Sequence, residues 1–129
     1  MLCFFKTCKT CVTTRIMAKH IETEVLKAKQ GSGEKIYLID TLAAESYDMY
    51  HIKGALSVPY DENFIANFEE NVGAPKDAEI ITYCASHSCQ LSSLAANALE
   101  AAGYTNVGHY ADGLAEWRAA GFPTEGERA

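Results

Sequence analysis

Ala78-Glu79-Ile80-Ile81-Thr82-Tyr83-Cys84-Ala85-Ser86-His87-Ser88-Cys89-Gln90-Leu91 is the stretch that sets the fold class. Residues 78–83 form an apolar, β-branched run too short for a helix, which predicts a strand buried on both faces of a parallel sheet. That strand delivers the chain directly to Cys84. A loop of small polar residues follows. From Leu91 to Ala102 the sequence is a strong helix former, with Leu91, Leu94, Ala95, Ala98, Leu99 and Ala102 on one face and Gly103 as its cap. In open α/β sheets ligands bind outside the carboxyl ends of strands, so a site is expected in this loop.

The same alternation extends in both directions. Upstream, a short helix around Thr23 to Lys29 is ended by Gly31-Ser32-Gly33, and Lys35 to Asp40 reads as a strand. Residues 43–50 read as helical, Ala55 to Val58 as a short strand stopped by Pro59, and residues 62–72 as an amphipathic helix carrying Phe64, Ile65, Phe68 and Val72 on one face. Downstream, Asn106 to Tyr110 reads as the last strand, and Leu114 to Ala120 as a closing helix with Trp117 available for the core. The expected fold is α/β: an open, mostly parallel five-stranded sheet with helices on both faces.

The chain has 129 residues, 11 Lys+Arg against 17 Asp+Glu and a formal net charge of −6. That length suits one domain, which buries roughly two-thirds of its unfolded surface without needing disulfides or metal. The acidic balance argues against nucleic acid or an anionic membrane as partner. No stretch approaches the ~18 apolar residues of a membrane span, and Lys6 and Lys9 interrupt any signal-peptide core, so a cytoplasmic location is expected. Residues 1–16 hold Lys6, Lys9 and Arg15 and no acid, leaving 8 basic and 17 acidic groups in residues 17–129. This contrast predicts a loose or disordered extension over 1–16 and the domain over 17–129. Three of the five cysteines, Cys3, Cys8 and Cys11, fall in the extension. They include one C-x-x-C, where a strong zinc signature needs two; Cys3 and His20 could complete the ligand set, but no metal is expected, nor any other cofactor.

Cys84, at a strand end facing a helix start, would lie near unpaired backbone N–H groups at the positive end of that helix, which favour thiolate over thiol. The loop's own N–H groups could curl inward to cradle an anion. From position alone, a nucleophile and a buried cysteine acting as a small hydrophobe are both open.

Residues 20–124 resemble a rhodanese homology domain, through several motifs in order. These are Leu38-Ile39-Asp40; Tyr47 with His51-Ile52-Lys53-Gly54-Ala55 and Val58-Pro59; Tyr83-Cys84; Gly103-Tyr104 with Asn106-Val107; Asp112-Gly113 through Trp117; and Ala120-Gly121-Phe122-Pro123. The resemblance implies a sulfurtransferase. Cys84 would attack the outer sulfur of a small donor such as thiosulfate, a persulfide or a polysulfide, become a persulfide, and pass the sulfur to cyanide or a thiol, a protein thiol included. Ala85, Ser86, His87, Ser88, Cys89 and Gln90 would then bind the substrate, their N–H groups facing the extra sulfur.

The chain departs from the family pattern in three places. The usual loop is C-x-x-G-x-R-S, but here His87 replaces the glycine and no Arg or Lys lies between Cys84 and Arg118, so a dianion such as thiosulfate has no guanidinium fork in the loop. The loop is about two residues longer than usual. Leu42 and Ser46 replace an Arg and a Glu, removing both sides of a structural ion pair together. A phosphatase of the C-x5-R type fails on Gln90, which stands where the arginine is required. Cys89 is either a resolving thiol for Cys84, making a dithiol redox or sulfur-relay protein, or a packed residue at the helix start. A weakly active rhodanese-fold binding or regulatory module is a further alternative. His51 is read as structural, His20 and His109 as ordinary polar residues, and the chain as a monomer or weak homodimer.

Overall fold

The structure is a computed structural model and describes residues 19–86 and 88–127. Cys3, Cys8, Cys11, His87 and the 1–16 extension lie outside the described residues. The elements in chain order are β1 (Lys19–His20), α1 (Thr23–Gly31), β2 (Ile36–Asp40), α2 (Ala44–Met49), β3 (His51–Ile52), β4 (Leu56–Ser57), α3 (Phe64–Asn71), β5 (Glu79–Tyr83), α4 (Leu91–Ala101), β6 (Val107–Tyr110), α5 (Gly113–Ala119) and β7 (Thr124–Glu125). Five strands form one sheet in the order β1-β6-β5-β2-β4, every pair parallel. The α/β expectation holds. The strand that it did not locate is β1, two residues pairing with β6. Also unforeseen is a small antiparallel sheet, β3 with β7, which brings the end of the chain back to His51.

Strand β5 is central, and its side chains alternate between two cores. Ile80 joins Ile39, Phe64, Phe68, Ala95, Ala96, Leu99 and Val107 under α3 and α4. Ile81 and Tyr83 join Leu26, Leu38, Tyr110, Leu114 and Trp117 under α1 and α5. Burial on both faces is why this strand reads as a continuous apolar run rather than an alternating one. Each fully buried aliphatic or phenyl side chain contributes about 1.5–3 kcal/mol by the area removed from water. Trp117 is fully buried, packs against Tyr110 and Phe122, and donates its indole N–H to Pro123 O at 2.7 Å.

The face that α4 turns inward differs from the sequence expectation. Its buried residues are Ser92, Ala95, Ala96 and Leu99, while Leu94 is 42% exposed. Two adjacent alanines let the helix close on the sheet, and the hydroxyl of Ser92 finds partners there. No helix among the described residues is long and apolar enough to cross a membrane.

Two contacts hold the carboxyl end of β5. On one side, the buried Asp40 carboxylate accepts hydrogen bonds from Tyr83 Oη (2.9 Å) and Leu42 N–H (2.8 Å), and Tyr83 Oη accepts from Ile52 N–H (3.0 Å). Burial raises the Asp40 carboxyl above its ordinary value despite these donors, and burial together with Asp40 raises the Tyr83 phenol. On the other side, α5 starts against the cysteine loop. Leu114 N–H donates to Cys84 O at 2.9 Å and Ala115 N–H to Ala85 O at 2.8 Å, so donors that a helix start leaves without partners meet carbonyls that a loop leaves without partners. Gly113 makes this approach possible. It adopts φ +72°, and a Cβ there would lie 2.5 Å from Cys84 O and 2.9 Å from Ser86 N.

Two outcomes follow. Gly113→Ala combines a disfavoured φ with a backbone clash and should cost about 2–4 kcal/mol, read as a lower urea midpoint. Asp40 has a folded pKa raised above its unfolded one, so protonation favours the folded state; its stabilisation is full below the unfolded value and is lost as pH rises through the folded one. Asp40→Asn should therefore remove that pH dependence: parent stability minus variant stability, from urea unfolding at a series of pH values, should grow as pH falls toward 4.

Candidate active site

After Asp40 the chain crosses to β4 on one side of β2, whereas β5 pairs on the other side, so the order of connections reverses between β2 and β5. Crevices at such switch points are where open α/β sheets bind ligands. Cys84 lies at this point, directly after β5, and is 1% exposed.

The period-2 geometry of the strands places its neighbours. Ile80, Thr82 and Cys84 share the α4 face of β5, and Val107 and His109 share that face of β6, with Thr82 and His109 in register. The start of α4 then closes over them. Cys84 Sγ–H donates to Ser92 Oγ at 3.3 Å, and Ser92 Oγ lies 2.8 Å from His109 Nε2. The backbone N–H of Ser92 also bonds Cys84 Sγ. Thr82 Oγ1 donates to Ser92 O at 2.8 Å, which fixes the serine's position.

Of the residues expected to cradle the sulfur, Ala85 and Ser86 flank Cys84 where the loop rests on α5. Their preceding carbonyls point at α5, so peptide planarity directs the N–H groups of Ala85 and Ser86 the opposite way. Cys89 N–H is committed to Ser86 O at 3.0 Å, and the Ser86 and Ser88 hydroxyls bond each other at 3.0 Å. Gln90 occupies the N-cap position of α4 without a side-chain cap bond, and its carbonyl accepts from the Ser93 hydroxyl. Among the described residues, the N–H group given to the Cys84 sulfur comes from Ser92, outside the expected loop.

Cys89 does approach Cys84. Both are free thiols, and their side chains are within hydrogen-bonding reach. The expectation of a readily formed thiolate is reversed. Burial, then the Cys89 thiol, pushes the Cys84 thiol above its ordinary value, and the Ser92 hydroxyl and N–H only partly offset this. The reason is that a cysteine 1% exposed loses more hydration than the hydrogen bonds of Ser92 return.

His109, read from sequence as an ordinary polar residue, is instead half-buried and tied to Ser92. Burial and the neighbouring His20 hold its imidazole below the ordinary value, which favours the neutral ring; with the ring proton on Nδ1, Nε2 faces the Ser92 hydroxyl as an acceptor. His51 conforms to its structural reading: it stacks on Tyr47 at 3.7 Å, its Nδ1 is 2.7 Å from Tyr47 O, and its Nε2 is 3.5 Å from Glu125.

Beside the loop is a mainly apolar cavity of about 400 Å³ lined by Leu42, Tyr50, Ala85, Ser86, Leu114 and Arg118, with Ser46 and Met49 at its α2 side. Leu42 and Ser46, the two positions that depart from the resemblance's expected ion pair, both form its wall. Arg118 supplies a guanidinium here, centred 4.0 Å over the Tyr50 ring. Among the described residues no cluster of His, Cys, Asp and Glu could hold a metal ion.

Comparison with known proteins bears on the family and the fold. Over 102 residues the chain is 32% identical to the HTH-type transcriptional regulator Rv0324 of Mycobacterium tuberculosis, a match covering 79% of this chain and 42% of that protein, so it spans less than half of that curated relative. Among solved structures, the Alr3790 protein from Anabaena sp. superposes with a TM-score of 0.73 at 31% identity, covering 84% of this chain and 93% of the other. A thiosulfate sulfurtransferase from Pseudomonas aeruginosa superposes with a TM-score of 0.73 at 20% identity, covering 84% of this chain and 20% of that one, a likeness of fold. The family model for the Rhodanese-like domain matches residues 22–120, and this chain belongs to that family.

Proposed function

We propose that the chain is a sulfurtransferase in which Cys84 accepts sulfane sulfur from a small donor as a persulfide and passes it to a thiol or to cyanide. The observation that carries this reading is the placement of Cys84 at the switch point of the sheet, with the Ser92 N–H and hydroxyl on its sulfur and a small-molecule-sized cavity beside its loop. The substrate class follows from charge. The described loop carries no cation, and Arg118 stands across an apolar cavity, which favours an uncharged or singly charged organic persulfide or polysulfide over dianionic thiosulfate.

A second reading is favoured by the contact between the two thiols: Cys89 displaces the outer sulfur from Cys84 persulfide, leaving a Cys84–Cys89 disulfide and releasing hydrogen sulfide. A domain with that behaviour reports on sulfane sulfur, which accords with a relative that is a transcriptional regulator.

Treated with an organic polysulfide, the full chain should gain one cyanolysable sulfur at Cys84, seen by peptide mass spectrometry, and Cys84→Ser should gain none there. Turnover to cyanide with thiosulfate should be roughly tenfold or more below that with polysulfide, the difference made by one missing charge-assisted contact. Robust thiosulfate turnover would contradict the charge argument. Cys89→Ser separates the two readings: a persulfide that survives equally long with and without Cys89, and no disulfide in the parent, leaves simple transfer.

A further inference from the structure

We propose that Ser92 and His109 form the proton path of Cys84, the hydroxyl relaying the thiol proton to the imidazole when the sulfur becomes a nucleophile. Three observations meet here. The chain of contacts is continuous, Cys84 Sγ–H to Ser92 Oγ at 3.3 Å and Ser92 Oγ to His109 Nε2 at 2.8 Å. It is anchored, since Thr82 Oγ1 holds the Ser92 carbonyl and Ser92 itself is 1% exposed. It also answers a need that the loop leaves unmet: with Cys84 buried and no loop cation among the described residues, a thiolate requires a base to take its proton.

In this path the Cys84 S–H bond breaks as its proton moves to Ser92 Oγ, and the hydroxyl proton of Ser92 moves to His109 Nε2. The products are a thiolate and an imidazolium. On the sulfurtransferase reading, on which this step rests, the thiolate then bonds to the outer sulfur of an organic persulfide, R–S–SH. The donor's S–S bond breaks with its electron pair leaving on R–S⁻, which takes a proton from solvent, while the imidazolium returns one to solvent. The sum is Cys84–SH plus R–S–SH giving Cys84–S–SH plus R–SH, with no external oxidant.

Ser92 touches the reacting sulfur; His109 acts through it. The groups facing His109 are His20, its register partner on β1, Thr82 on β5 and Ser92 on α4. Burial lowers the affinity of His109 for a proton, and the neighbouring His20 lowers it further. In its neutral form, with the ring proton on Nδ1, the imidazole presents Nε2 to the Ser92 hydroxyl as an acceptor.

The test is the alkylation rate of Cys84 by iodoacetamide between pH 5.5 and 10, read on the Cys84 peptide of the full chain by mass spectrometry. No sulfur donor is involved, so the outcome is independent of whether the chain transfers sulfur, which the polysulfide experiment decides. In the parent the rate should fall from the thiol's own titration onto a plateau across the neutral range, and fall again only below the histidine titration. His109→Gln, a half-buried polar exchange, should abolish the plateau, so that the rate drops tenfold per pH unit and is about tenfold or more lower at pH 7. Ser92→Ala should have the same profile. A parent rate without a plateau, or a plateau that survives in His109→Gln, overturns the proposal.

Discussion

Two backbone hydrogen bonds, from Leu114 and Ala115 at the start of α5 to the carbonyls of Cys84 and Ala85, give the cysteine loop its shape. They turn those carbonyls toward the helix and the following N–H groups away from it. They also require the helix to arrive at van der Waals distance, which only a residue without Cβ and with positive φ permits; Gly113 meets both conditions. The loop thus draws its order from the chain thirty residues downstream, and the closing helix is part of the site as much as of the core.

The cysteine so held is buried, and burial has chemical consequences. A thiol at the surface beside a helix start would ionise readily. Removed from water, Cys84 is held in its protonated form and depends on specific partners, the N–H and hydroxyl of Ser92 and the imidazole beyond it. The Cys89 thiol lies close by and, after burial, adds to the difficulty of ionising Cys84. Ser92 is the junction of this network: it closes α4 over the sheet, bonds the sulfur with two groups and reaches His109.

Much of the fold was legible in the sequence because the chain states it twice, once in hydrophobic period and once in punctuation. Every strand but β1 and the β3–β7 pair was located by a short run between turn residues, and every helix but α2 is followed by a glycine within two residues of its end in the sequence. The exceptions are two residues long and defined by their partners, not by their own composition. The face of α4 was misjudged for a related reason: Leu94 is the more hydrophobic residue, yet Ser92 is the one with partners to bond. His109 carried a signal that could have been used. Alternation puts it on the same face as Val107, the face that α4 covers, so a histidine there is half-buried and must bond something.

What the sequence by itself determined is the α/β class, the central strand ending at Tyr83 and the placing of Cys84 at that strand's end, because these depend on local pattern and on which residues bury on two faces. What only the tertiary structure decided is the state of the thiol and its companions. Ionisation depends on how much water the surrounding elements exclude, and a hydrogen-bonded path depends on three residues from a strand end, a helix start and a neighbouring strand meeting within 3.3 Å. Neither quantity has a one-dimensional signature: both are distances across the packed chain.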